Sequence, residues 1–314
     1  MPGSGSSVFT DADGYQASLQ DMLDLLALRP RDFRARLTWV DLRSFYLLRA
    51  QEDAPRVAYV TLPPEQVFVT FPTRRDATLI TSGTELRFGD VVFHSLGERL
   101  HQRTTAAGHW GSISLTPTSL MEFGRTIAGQ ELAAPPRSQI LRPLSTDRQR
   151  LLRLHALASR IAETSLDRIS HKEVIRALEQ DLIWALISCL VHGEVQANGA
   201  ATALQASILV RFEETLAAHP LRHHRLAEIC RTIGVSERIL RASCARLLGM
   251  SPGRYQRLRW LKLVHTALKR ANPATVSRAE MMERYGFADF HRFVAEYWNV
   301  YGEMPPVPPR DVAN

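Results

Sequence analysis

Residues 234–252 read GVSERILRASCARLLGMSP, and this stretch decides how the last third of the chain folds. Gly234 offers the positive φ that a tight turn needs. Ser236 follows where a helix N-cap belongs, its hydroxyl placed to meet the free amides of the next turn. Leu240 and Leu247 then share one helical face, with Arg238 and Arg241 on another. Cys244 falls on the inward side, where the pattern wants something larger, so a packing gap is expected there and Cys244→Phe would test it. A helix so divided suits either a solvated surface or a groove of DNA.

A second copy favours the groove. AEICRTIGV (227–235) matches AEMMERYGF (279–287), and GMSP (249–252) matches GEMP (302–305). Two copies of one helix-turn-helix unit are expected, with Gly286 as the second turn, Asp289 as the second cap and Phe293 as the second inward anchor. Arg238, Arg241 and Ala242 face outward in the first copy, as do Phe290, His291 and Arg292 in the second. Between them GRYQRLRWLKLVHTALKRAN (253–272) forms one long helix, ended by Asn272-Pro273.

Charge is distributed to match. The chain of 314 residues has a net charge of +7, yet residues 221–271 carry twelve Lys/Arg against Glu228 and Glu237. That is +10, so the remainder sums to -3, and a one-sign segment fits a polyanion better than a mixed solvated face. Residues 272–302 sum to -1, with Arg278, Arg284 and Arg292 against Glu280, Glu283, Asp289 and Glu296. Affinity for phosphate is therefore expected from the first unit and the long helix, and base or shape readout from the second.

Residues 221–310 resemble the DNA-binding domain of the AraC/XylS family of transcription regulators. The paired units, the connecting helix and the GMSP and YGF…F…Y…YGEMP signatures carry the likeness. The resemblance implies two recognition helices entering successive major-groove turns, about 34 Å apart. It also implies a cupin-like sensor in the N-terminal part and favours activation over repression. Cys244 stands where the family usually has a large aromatic, and Cys230 and Met282 where it has a small alanine.

Upstream the pattern is consistent with that implication. From about Phe33 to Ile113, runs such as RVAYVTLP, EQVFVTFP and WGSISLTP are β-branched and aromatic, punctuated by Pro and Gly, as in an antiparallel barrel or sandwich. YQASLQDMLDLL reads as a helix capping one end, and MPGSGSS as disordered. From Leu144 to Pro220 three segments have helical period, the first opening on a Thr146 cap. Trp184, Leu186, Ile187 and Leu190 present an apolar surface suited to a dimer interface or to the top of the sensor. The fold class is thus α+β: residues 1–143 form a β-rich effector-sensing domain, 144–220 a helical linker or dimerisation region, and 221–314 an AraC-type DNA-binding domain.

The expected protein is a sequence-specific regulator that binds promoter DNA, a small effector and a second copy of itself, with RNA polymerase as a further partner. The DNA-contacting set is Ser236, Arg238, Arg241, Ala242, Arg254, Arg257, Arg259, Phe290, His291 and Arg292. Arg254, Arg257, Arg259 and Lys262 suit phosphate contacts or simple solvation equally. Trp39, Tyr46, Phe68, Phe88, Phe93 and Trp110 could line an effector pocket, although alternating strand positions fill a barrel core as readily. His94, Glu98, His101 and His109 could suggest a metal enzyme, but no HxH is present and local polar roles are favoured. No nucleotide loop or nucleophile constellation argues for catalysis, and no cofactor or metal is expected. Cys189, Cys230 and Cys244 cannot all pair, no signal or membrane-spanning segment is visible, and a cytoplasmic location follows. A metal-dependent cupin enzyme with a basic appendage and a nonspecific architectural DNA binder are the competing classes.

Overall fold

The strands of the N-terminal half alternate side chains between two buried surfaces, and this alternation explains its layers. The computed structural model describes residues 3–19, 22–164, 172–196, 200–220, 224–270 and 289–306. Eight strands form one antiparallel sheet in the order β1 (Gly3–Phe9), β3 (Ala35–Asp41), β4 (Tyr46–Glu52), β11 (Gly108–Leu115), β6 (Val67–Pro72), β9 (Val91–Phe93), β12 (Gln139–Arg142), β13 (Glu194–Gln196). Five form the other: β2 (Leu23–Ala27), β5 (Arg56–Thr61), β10 (Arg99–Arg103), β7 (Leu79–Thr81), β8 (Thr84–Leu86). Leu37, Leu48, Ala50, Phe68, Val92 and Trp110 point between the sheets with Leu25, Ala58, Leu79 and Leu100. Their neighbours Leu47, Val69, Val91, Phe93 and Ile113 point outward, under helices α2 (Pro117–Phe123), α3 (Ser145–Thr164) and α4 (Lys172–His192).

Four expectations change here. Gly3–Phe9 is not disordered; it is strand β1, paired with β3 from Gly3↔Asp41 to Phe9↔Ala35, with Gly5 under the ring of Trp39 where a Cβ would sit 2.2 Å from the indole. The capping helix is only Ala12–Ala17 (α1), because Leu23–Ala27 is drawn into β2 by pairing with β5. Helix α3 starts at Ser145, one residue before the expected Thr146 cap. Leu186, Ile187 and Leu190 are buried in the layer covering the outer sheet face, so of the expected dimer surface only Trp184 remains exposed, its ring under Arg150.

Residues 144–220 do not behave as one unit. Helices α3 and α4 belong to the barrel, whereas α5 (Ala200–Ala218) gives Ile208, Leu209, Phe212 and Leu216 to the core of α6 (Leu226–Ile233) and α7 (Glu237–Leu248). Leu26 and Val57 of the barrel join the same cluster, so the two halves share apolar contact. Cys244 lies in it, fully buried, and the aromatic mass there comes from Phe212 and Tyr255. Burial pushes the Cys244 thiol up to about 12, which keeps it protonated and unreactive. Helix α8 (Pro252–Arg270) packs Leu261, Val264 and Leu268 against Phe293 and Tyr297 of α9 (Phe290–Tyr301). The second unit's first helix, its Gly286 turn, Met282, Arg278, Arg284 and the Asn272-Pro273 stop lie outside the described residues.

Candidate nucleic-acid interface and effector cavity

The first helix-turn-helix is built as its sequence dictates. Gly234 ends α6 in the left-handed region at φ 69°, a conformation that disfavours side chains. The Ser236 hydroxyl accepts from the Ile239 amide at 3.4 Å and starts α7. Leu240, Ser243, Cys244, Leu247 and Leu248 are buried, leaving Ser236, Arg238, Arg241 and Ala242 exposed. Arg241 makes an exposed ion pair with Glu237 at 3.3 Å, a contact worth little and easily exchanged for a base or phosphate. In α9 the Asp289 carboxylate accepts from the amides of His291 and Arg292. His291 and Arg292 are exposed, while Phe290 leans inward onto Phe293 at 6.1 Å.

Several basic residues of α8 are held in ion pairs. Arg254 is exposed. Arg257 forms an ion pair with Glu296 of α9. Arg259 pairs with Glu213 of α5 and, at 3.5 Å, with Asp24 of β2. Lys262 pairs with Asp24 at 2.6 Å and donates to Gln16 at 2.6 Å. In this arrangement acidic partners remote in sequence hold Arg259 and Lys262. Burial opposes the ionised form of Asp24, but Lys262 and Arg259 outweigh it and hold the carboxyl below its usual range.

This contact extends into a buried network. His101 of β10 meets the Glu213 carboxylate through Nε2 at 2.8 Å, and Tyr255 of α8 donates to the same oxygen. Burial, then the Arg259 guanidinium, push His101 down to about 3. Arg246 of α7 adds a hydrogen bond to Thr202 of α5 at 2.8 Å. Nothing in the sequence pairs β2 or β10 with α8, so this clamp was illegible before folding.

Between the sheets the barrel leaves a small cavity of about 40 Å³. Of the six proposed aromatics, Phe68 and Trp110 line it. Trp39 and Tyr46 lie on the same interior face at its margin, half-buried. Phe93 points to the opposite face, because Val92 takes the inward position one residue earlier. Phe88 is half-buried with Arg75 over its ring. The sequence missed Thr70, Gln102 and Ser112, polar residues of the cavity wall.

The four candidate ligands of a metal separate. His94 contacts Glu98 at 2.6 Å and Thr70 at 2.8 Å, His101 turns to Glu213, and His109 is half-buried elsewhere on β11. Among the described residues no three His, Cys, Asp or Glu side chains gather as a metal site requires. Among them, too, no helix is long and apolar enough to cross a membrane.

No family model matches the chain. It is 27% identical over 251 residues to the "probable thc operon regulatory protein" of Rhodococcus erythropolis, covering 76% of this chain and 73% of that protein. Among solved structures it aligns with the AraC-like transcriptional activator CuxR at TM-score 0.44 and 15% identity, over 84% of this chain and 94% of that one. ToxT from Vibrio cholerae aligns at TM-score 0.29 and 11% identity, over 84% and 97%. The chain is similar to an operon regulatory protein over most of its length, and in its order of barrel, helices and helix-turn-helix it resembles the AraC/XylS regulators.

Proposed function

We propose that this chain is a one-component transcription regulator. Helix α7 reads promoter DNA in the major groove, α9 reads an adjacent stretch, and a small molecule in the barrel cavity controls the outcome. The observation that carries this reading is α7 itself: capped by Ser236, anchored by Leu240 and Leu247, and offering Arg238, Arg241 and Ala242 to solvent on one face. Arginine on such a face matches the paired acceptors of guanine. Two recognition helices on one chain, and a second copy on a second half-site, would supply the length of a promoter element. RNA polymerase is the partner an activator would then meet.

Selection of bound sequences from a random duplex pool, followed by titration of the best site, tests it. Arg241→Ala should weaken the selected site by about 1–3 kcal/mol and relax preference at one base position. Equal weakening on every sequence would refute base readout by this residue. Pool enrichment that yields no preferred sequence would favour the architectural alternative.

The clamp gives regulation a physical handle. With Arg259 and Lys262 held by Glu213 and Asp24, this arrangement withholds two cations from the phosphate backbone. An effector need only shift the balance between clamped and released forms by a few kcal/mol. Asp24→Ala should therefore tighten binding to any duplex and make the dependence on salt steeper by about one to two counterions. An unchanged salt slope would remove the clamp from the account.

A further inference from the structure

We propose that α9 reads thymine by its methyl group, with Val294, Ala295 and Trp298 as the contacting side chains, so that the two helix-turn-helix units recognise stretches of unlike chemistry. The inference rests on the regulator reading, in which α7 and α9 enter the major groove, and it names what the second unit reads there.

The two helices can be matched residue by residue because their fixed points agree. Ser236 and Asp289 are the N-caps, and Leu240 and Phe293 are the buried anchors one turn later. In α7 the flank of Arg246 is turned to α5, where it donates to Thr202 at 2.8 Å. The open stripe is therefore Arg238, Arg241, Ala242 and Ala245, all exposed and spaced as one helical face. In α9 Arg292 pairs with Glu296 at 3.1 Å, and Arg257 of α8 holds the same carboxylate, so that flank is turned to α8. The stripe equivalent to that of α7 is His291, Val294, Ala295 and Trp298. His291 and Ala295 are exposed, Trp298 is 49% exposed, and Val294 is half-buried at the edge of the core.

Two arginines and two alanines in α7 thus correspond to a histidine, a valine, an alanine and a tryptophan in α9. Arginine bonds the paired acceptors of guanine; the α9 stripe has no such fork. Three of its four side chains are apolar, and the C5 methyl of thymine is the apolar group that base edges offer in the major groove. From His291 to Trp298 the helix rises about 10 Å, or about three base pairs, which suits a short thymine-bearing subsite. Charge agrees with this division. Residues 272–302 sum to -1, so the second unit draws little from phosphate, and apolar burial against methyl groups gives it specificity without a cation. The match to the α7 stripe is what assigns this face to DNA.

The test starts from the best duplex selected from the random pool and replaces its thymines by deoxyuridine one position at a time. That change removes the methyl and keeps every hydrogen-bonding atom of the base. For the full chain, uracil should weaken binding about fourfold at positions within one stretch of about three base pairs, since a methyl contact resembles burial of one methylene. Trp298→Ala should abolish the difference between thymine and uracil at one of these positions. It should keep the guanine preference that Arg241 supports, which also shows that the variant folds. Trp298→Phe, which retains an aromatic face without the indole N–H, should preserve the difference. Equal affinity for thymine and uracil at every position overturns the proposal, as does a difference that survives whole in both Trp298→Ala and Val294→Ala. A Trp298→Ala chain that binds DNA unchanged but loses self-association in sedimentation would give this face to a second copy, and overturns it too. A pool that yields no preferred duplex is a separate result: it sinks the regulator reading, and this proposal with it.

Discussion

Arg56→Met should cost about 3–5 kcal/mol of stability, the largest effect of any single substitution considered. Arg56 and Glu52 are both fully buried and pair at 3.0 Å inside the barrel. The Glu52 carboxylate also accepts from the Tyr15 hydroxyl at 2.9 Å and the Trp110 indole N–H at 3.0 Å. Arg56 in turn donates to the Gln102 side chain and main-chain carbonyl. Methionine conserves the volume but strands a carboxylate in a medium that cannot solvate it. Glu52→Gln combined with Arg56→Met should recover a large part of the loss, because the penalty belongs to the unpaired charge and not to the lost attraction. Chemical unfolding followed by near-ultraviolet circular dichroism measures both. A single-substitution loss below about 1 kcal/mol would mean that water reaches the pair.

Acid should destabilise the barrel well above the carboxylate range. His155 of α3 is 1% exposed, and its Nε2–H donates to the Leu48 carbonyl at 2.9 Å. Nδ1 is buried without a partner, and Phe71 meets the ring edge-on at 5.0 Å. Burial first, with Arg49 adding, pushes the imidazole down from 6.5 to about 4 against the opposing bond to Leu48. The folded chain therefore keeps His155 neutral while the unfolded chain takes up a proton below pH 6.5. Stability is complete above that value, falls as pH drops toward 4, and levels off below it. The difference of 6.5 − 4 corresponds to about 3 kcal/mol. His101 is displaced in the same direction and adds to the slope. His155→Gln, which can still donate to Leu48, should flatten the stability profile between pH 6.5 and 4. A profile unchanged by the substitution would place the acid sensitivity elsewhere.

The helix-turn-helix was legible because its determinants are local. Gly234, Ser236, Leu240 and Leu247 lie within about four helical turns of one another, and cap, turn and seam need no remote partner. Most barrel strands were legible for a related reason, since β-branched runs between turns advertise themselves. Strand β1 was not. The opening MPGSGSS reads as disordered, and only pairing along β3 makes Gly3–Phe9 extended. Apolarity of α4 was visible but its destination was not, because a helix face cannot state whether a sheet or a second copy will cover it. Arg259 and Lys262 show the same limit in charge: their basicity was plain, but Asp24 and Glu213 come within reach only after the chain has closed on itself. The cavity wall was missed because Gln102, Ser112 and Thr70 come together only once β10, β11 and β6 are set in their sheets.

The seat of α5 bears on how such a chain can be divided. Composition and charge place a boundary at residue 221, yet Ile208, Leu209, Phe212 and Leu216 lie in the core that α6 and α7 close over. A fragment cut at the compositional border would release those two helices with an open apolar flank, prone to self-association. The unit that carries its whole core begins one helix earlier, near Ala200, with Glu213 travelling alongside the helices it steadies. Recombination between chains of this build would then preserve the helix-turn-helix core most readily when the crossover falls ahead of α5.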